Sequence, residues 1–131
     1  MPRLPITLAI PTLVLALSAC AAATREDTPE AAVAFDASRQ CFFTSQINGY
    51  SDAPDGPNGE ERLIIHTGPN DSWLFEAFGN SCRDLDFALG VALDTGARTS
   101  LCTGATETLI VPRTGTSPDR CSVRLLGKVI E

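Results

Sequence analysis

The chain is poor in the residues that most chemistry needs. It has one His, one Trp, one Tyr and one Met in 131 residues, and aromatics make up only 6%. Basic residues are short by six against acids, with 10 Lys+Arg facing 16 Asp+Glu. That deficit excludes ordinary nucleic-acid binding, which needs a basic face against phosphate. No Gly-x-Ser-x-Gly elbow and no glycine-rich phosphate loop of Walker or Rossmann type occurs, so the common serine-hydrolase and nucleotide signatures are missing. No two Cys stand close enough to form a CxxC knuckle, which removes the usual zinc frameworks. We therefore expect no cofactor and no metal. The overall balance, 44% hydrophobic and 20% charged, is that of a folded domain.

The one long apolar run lies at the start. Arg3 is followed by an uncharged stretch from Leu4 to Leu17, interrupted by Pro5 and Pro11, and then by the small residues Ser18 and Ala19. This is the three-part shape of a secretory signal peptide, and it is too short for a spanning helix of about 20 residues. Leu17-Ser18-Ala19-Cys20 resembles a bacterial lipobox, in which the Cys thiol takes a diacylglyceryl group and cleavage falls just before it. Several acyl chains, at roughly 0.8 kcal/mol per buried CH2, would anchor the product firmly in a membrane. Residues 1–19 are thus expected to leave as a signal peptide, and Cys20 to carry the lipid. The 112 residues that remain hold 9 basic against 16 acidic side chains. Ala21 stands where an Asp would signal inner-membrane retention in enteric bacteria, so the expected location is periplasmic, with the outer membrane favoured.

The chain has five Cys, an odd number. Assigning Cys20 to lipid leaves Cys41, Cys82, Cys102 and Cys121, an even set that an oxidising compartment would join in two disulfides. Three pairings are open. The favoured one is Cys82–Cys102 with Cys41–Cys121, because the second bridge would tie the first strand to the last. Their loops, roughly 20 and 80 residues, would contribute about 3 and 4.5 kcal/mol in the chain-entropy model.

Residues 20–38 read as a tether rich in Ala, Thr, Pro and acids, and residues 39–131 as the globular domain. Within the domain, strands are expected over Cys41 to Tyr50, Arg62 to Thr67 and Ser72 to Phe78, with a turn over Ser51 to Gly59 after the first and the last two forming a hairpin across Gly68-Pro69-Asn70-Asp71. Ser81-Cys82-Arg83-Asp84 fits a capping box, and Leu85, Ala88 and Leu89 then share one helical face, giving a short helix up to Gly90. Further strands are expected over Val91 to Leu93, Thr99 to Thr103, Glu107 to Pro112 and Arg120 to Ile130. The fold class is mainly β: a small antiparallel sheet or partly closed barrel with one short helix, stapled by disulfides.

Four side-chain groups invite functional readings. His66 lies within a strand and reads as a sheet residue. Asp52, Asp55, Asn58, Glu60 and Glu61 form an oxygen-rich loop, but Pro54 and Pro57 break any EF-hand spacing, so a solvated turn is expected. Asp84, Asp86 and Asp94 do not assemble a convincing carboxylate pair, since Asp84 is taken by the helix cap. Trp73 and Phe75 fall on one face of their strand and Leu74 and Phe78 on the other. This makes core packing the first reading and an exposed patch the second.

The lipobox, Cys41 opening a strand, Asn80-Ser81-Cys82-Arg83-Asp84-Leu85, Ser100-Leu101-Cys102-Thr103-Gly104 and Arg120-Cys121-Ser122-Val123 together resemble a family of small Gram-negative lipoproteins. It is known only as domain-of-unknown-function family 6491. The likeness spans Cys41 to about Leu126 and implies an exported, cysteine-bearing β-rich domain with no assigned activity. The family pattern often places an acid after the Cys-x-Gly stretch; here Ala105 stands there. The expected function is a lipid-anchored envelope protein, a binding or structural module rather than an enzyme, with an envelope protein or glycan as partner. The alternatives are an inhibitor of an envelope-targeting hydrolase or an enzyme acting on envelope material.

Overall fold

The computed structural model describes residues 31–79, 82, 85 and 90–131. The expected signal peptide, the lipidated Cys20, the start of the tether and most of the expected helix over 81–89 lie outside these residues. Nine strands follow one another in the described chain: β1 (Phe35–Asp36), β2 (Cys41–Phe43), β3 (Gly49–Ala53), β4 (Arg62–His66), β5 (Ser72–Phe78), β6 (Ala92–Asp94), β7 (Ser100–Cys102), β8 (Thr106–Val111) and β9 (Asp119–Val129). A 3-10 turn, Thr44–Gln46, separates β2 from β3.

The main sheet is antiparallel throughout, in the order β3-β4-β5-β9-β8-β6. The eleven-residue β9 is its axis. It pairs with β5 along one edge, and with β8 and then β1 along the other. Alternation sets the inner face. Leu63 and Ile65, Trp73, Phe75 and Ala77, Leu109 and Val111, and Cys121, Val123 and Leu125 all point into one buried cluster.

Leu126 is an extra residue on β9, because Leu74 faces Gly127 while Phe75 faces Leu125. Such a bulge bends a strand and increases its twist, and the sheet curls into a half-barrel. Past the bulge, Gly127 takes the outer face beside the fully buried Leu74. A Cβ at Gly127 would overlap the Asp36 carbonyl and stand 3.0 Å from the Phe35 ring, so only glycine lets β1 cross here.

The concave side is plugged by the two-stranded ribbon β2-β7. Phe42 faces Leu101 in register, both buried, and the Phe42 ring lies 4.8 Å from that of Trp73. Their neighbours Cys41, Phe43 and Ser100 face outward.

The disulfide pairing differs from the favoured one. All four cysteines are bridged, as Cys41–Cys102 and Cys82–Cys121. The β2-β7 register sets Cys41 directly opposite Cys102, with Cα atoms 4.0 Å apart. Cys121 points into the core, where Cys82 is also drawn, so the outward-facing Cys41 cannot reach it. The first strand does meet the last, but through backbone pairing of Phe35 with Val129 and the Ile130 N–H donated to Ala34. The expected strand over Cys41 to Tyr50 is broken at Thr44, and Ser51 to Ala53, expected in a turn, continue β3. Phe35–Asp36, expected in the tether, is a strand.

Candidate functional site

The half-barrel opens between its terminal strands, β3 and β6. A cleft of about 380 Å³ lies there, lined by residues 44 and 47–50, by Ile65 and by residues 91–93. Its walls are of mixed polarity, and their apolar part has a structural reason. Tyr50 faces Ile65, which faces Trp73, so one inward row runs from the sheet interior to the rim. Ile47, Tyr50, Val91 and Leu93 all pack half-buried against the core. Thr44 and Asn48 add hydrogen-bonding groups, and the volume falls within the 300–1,000 Å³ of ordinary ligand sites.

A second cleft, of about 460 Å³, is lined by Asn58 to Glu61, Glu76 to Gly79, and Cys82. It takes in Asn58, Glu60 and Glu61 from the oxygen-rich loop, while Asp52 and Asp55 stand apart from it. The loop is held by its own hydrogen bonds. Gly56 N–H donates to the Glu60 carbonyl, Gly59 N–H to the Gly56 carbonyl, and Asn58 Nδ2 to Glu60 Oε1 at 2.9 Å. The Asn58 side chain, helped by backbone N–H groups, holds the Glu60 carboxyl below the usual carboxylate range. Arg62 places Nε and Nη2 on Glu76 Oε2 at 2.8 and 2.7 Å, a cross-strand pair on the outer face. Among the described residues no group of three His, Cys, Asp or Glu could hold a metal ion.

His66 stands on the outer face between two hydroxyls. Ser51 Oγ is 2.9 Å from Nε2, and Ser72 Oγ is 2.8 Å from Nδ1. Sequence reasoning missed this arrangement, because Ser51 read as a turn residue. The pattern is legible only once the strand register is known, which sets Ser72 opposite His66 and Ser51 two residues along β3 from Gly49, the residue opposite His66. Chemically it is a base within reach of a hydroxyl, with a second group orienting the ring. The orienting group is itself a hydroxyl, whereas a carboxylate is what stabilises the imidazolium formed in acyl transfer. The arrangement therefore reads as a hydrogen-bonded brace across β3, β4 and β5.

Of the three acids weighed as catalytic, Asp84 and Asp86 lie outside the described residues. Asp94 is exposed, accepts from Gly96 N–H at 3.2 Å and faces Arg120 at 3.5 Å. Trp73 and Phe75 are core, with Trp73 Nε1 donating to Thr67 Oγ1 at 3.0 Å. Leu74 is buried on the opposite face, and Phe78 is partly exposed beneath the Arg124 guanidinium. Glu107 was not foreseen as buried. It occupies an inward position of β8 and is paired at 2.7 Å with Arg98, which caps it from solvent.

Taken by class, this is a disulfide-stapled antiparallel half-barrel with a cleft of mixed polarity at its open seam. The chain belongs to the family of unknown function DUF6491, whose model matches residues 3–130. No curated protein and no solved structure matches it.

Proposed function

We propose that the protein is a lipid-anchored binding module of the bacterial cell envelope, and that it holds the apolar end of its ligand in the cleft between β3 and β6. The cleft carries the reading. It is the place where half-buried apolar side chains continuous with the core, Ile47, Tyr50, Val91 and Leu93, meet solvent beside two hydrogen-bonding groups. The N-terminal apolar run, the Leu17-Ser18-Ala19-Cys20 tetrapeptide and the even set of bridged cysteines support export and anchoring.

Two measurements test the two halves. An environment-sensitive apolar dye should bind the folded protein at one site, and Leu93→Asp should weaken it at least about tenfold, the effect of a charge in an apolar pocket. Equal binding by wild type and variant removes the cleft as the site. In cells, Cys20→Ser should leave the protein unacylated and soluble or unprocessed. Membrane-bound, acylated Cys20→Ser protein refutes the anchor.

A further inference from the structure

The two disulfides occupy opposite environments. Cys82 and Cys121 are 6% and 2% exposed and packed in the core cluster, Cys82 meeting the second cleft with only that small exposed fraction. Cys41 is exposed and Cys102 half-buried, on the outward side of the β2-β7 ribbon. Thiol–disulfide exchange needs a thiolate to approach one sulfur, so access decides which bridge reacts. We propose that Cys41–Cys102 is a reversible exchange site for a dithiol reductant, attacked at the Cys41 sulfur, while Cys82–Cys121 stays closed in the folded protein.

The steps balance as two thiol exchanges. The reductant's thiolate attacks Cys41 Sγ, the Cys41–Cys102 bond breaks, and Cys102 leaves as a thiolate that takes up a proton. The reductant's second thiolate then attacks its own sulfur in the mixed disulfide and releases Cys41. The reductant ends as a disulfide, having given two electrons, and the protein ends with two thiols.

The ribbon keeps its geometry when the bond opens. Phe42 and Leu101 remain buried in register, Thr44 N–H donates to the Thr99 carbonyl, and Thr103 N–H donates to the Gln40 carbonyl. The two thiols therefore stay opposite each other, and re-forming the bond is an intramolecular step. The opened strand leads directly into Thr44 and Ile47 of the cleft rim, so the exchange sits next to a surface whose mobility it can alter.

The test uses the oxidised, folded protein and dithiothreitol without denaturant, quenched at intervals with an alkylating agent and read by mass spectrometry. Cys41 and Cys102 should become labelled together, at least about tenfold faster than Cys82 and Cys121. Reoxidation after reductant removal should restore the same pair. With glutathione in place of the dithiol, the trapped adduct should sit on Cys41. Opening of both bridges at one rate, opening of Cys82–Cys121 first, or opening only under unfolding conditions overturns the exchange site. An adduct on Cys102 overturns the assignment of the attacked sulfur.

Discussion

Gly127 and Asp36 show how much of the structure hangs on single groups. The Asp36 backbone passes so close to Gly127 that one added carbon must displace β1. Gly127→Ala should cost about 1–3 kcal/mol, the range for overpacking a filled site, measured by urea titration. It should also speed hydrogen exchange at the Ile130 amide, which bonds Ala34. Gly49→Ala, with nothing near its Cβ, should stay within about 0.5 kcal/mol of the parent.

The Asp36 carboxyl lies below its ordinary value of 3.8, chiefly because the Ser38 N–H donates to it, with the Ser38 hydroxyl and Gln40 side chain assisting. A depressed carboxylate stabilises the fold above its unfolded pKa, and that contribution is lost as pH falls through the folded value. The Ser38 amide resonance should therefore titrate with a midpoint below 3.8, and Asp36→Asn should abolish that titration.

Among the elements, the two disulfides invite comparison, since their loops are similar and their surroundings are not. Sequence separations of 61 for Cys41–Cys102 and 39 for Cys82–Cys121 differ by only about 0.4 kcal/mol in loop-closure entropy, in favour of the first. Burial acts the other way. Replacing Cys82 and Cys121 by Ala removes two sulfurs from the filled core, and each such deletion leaves unfilled volume. The Cys82→Ala/Cys121→Ala variant should therefore be the less stable, by about 1–2 kcal/mol beyond the Cys41→Ala/Cys102→Ala variant. Denaturant titration of both checks it, and the reverse order would mean that core volume is recovered by relaxation.

The hairpin β4-β5 was legible in the sequence, because Leu63, Ile65, Trp73 and Phe75 alternate on either side of a Gly-Pro-Asn-Asp turn. The break after Phe43 was not. Phe42 and Phe43 look alike in sequence, yet one fills the core and the other is 61% exposed. The Ser51-His66-Ser72 brace was equally hidden, since it depends on register across three strands.

At the scale of the whole molecule, the first and last of the described strands meet. β1 pairs with the last residues of β9, and β9 is the sheet's axis. A topology ruled by such distant pairings must close long loops before contacts reward it. Refolding with disulfides intact should therefore proceed in milliseconds to seconds, the range of small all-β domains, as stopped-flow Trp73 fluorescence would show. A refolding phase complete in microseconds would contradict it.

The sequence by itself determined the strand-rich class, the membership of four cysteines in bridges, and the inward residues of the regular strands. These follow from period-two alternation and residue count, which are local properties. Only the tertiary structure decided which cysteines pair, that β2 leaves the main sheet to plug it with Phe42, and that a cleft opens between β3 and β6. Each of these depends on register and on the bend at Leu126. Both are set by how distant segments share one core, and no local pattern of side chains encodes that.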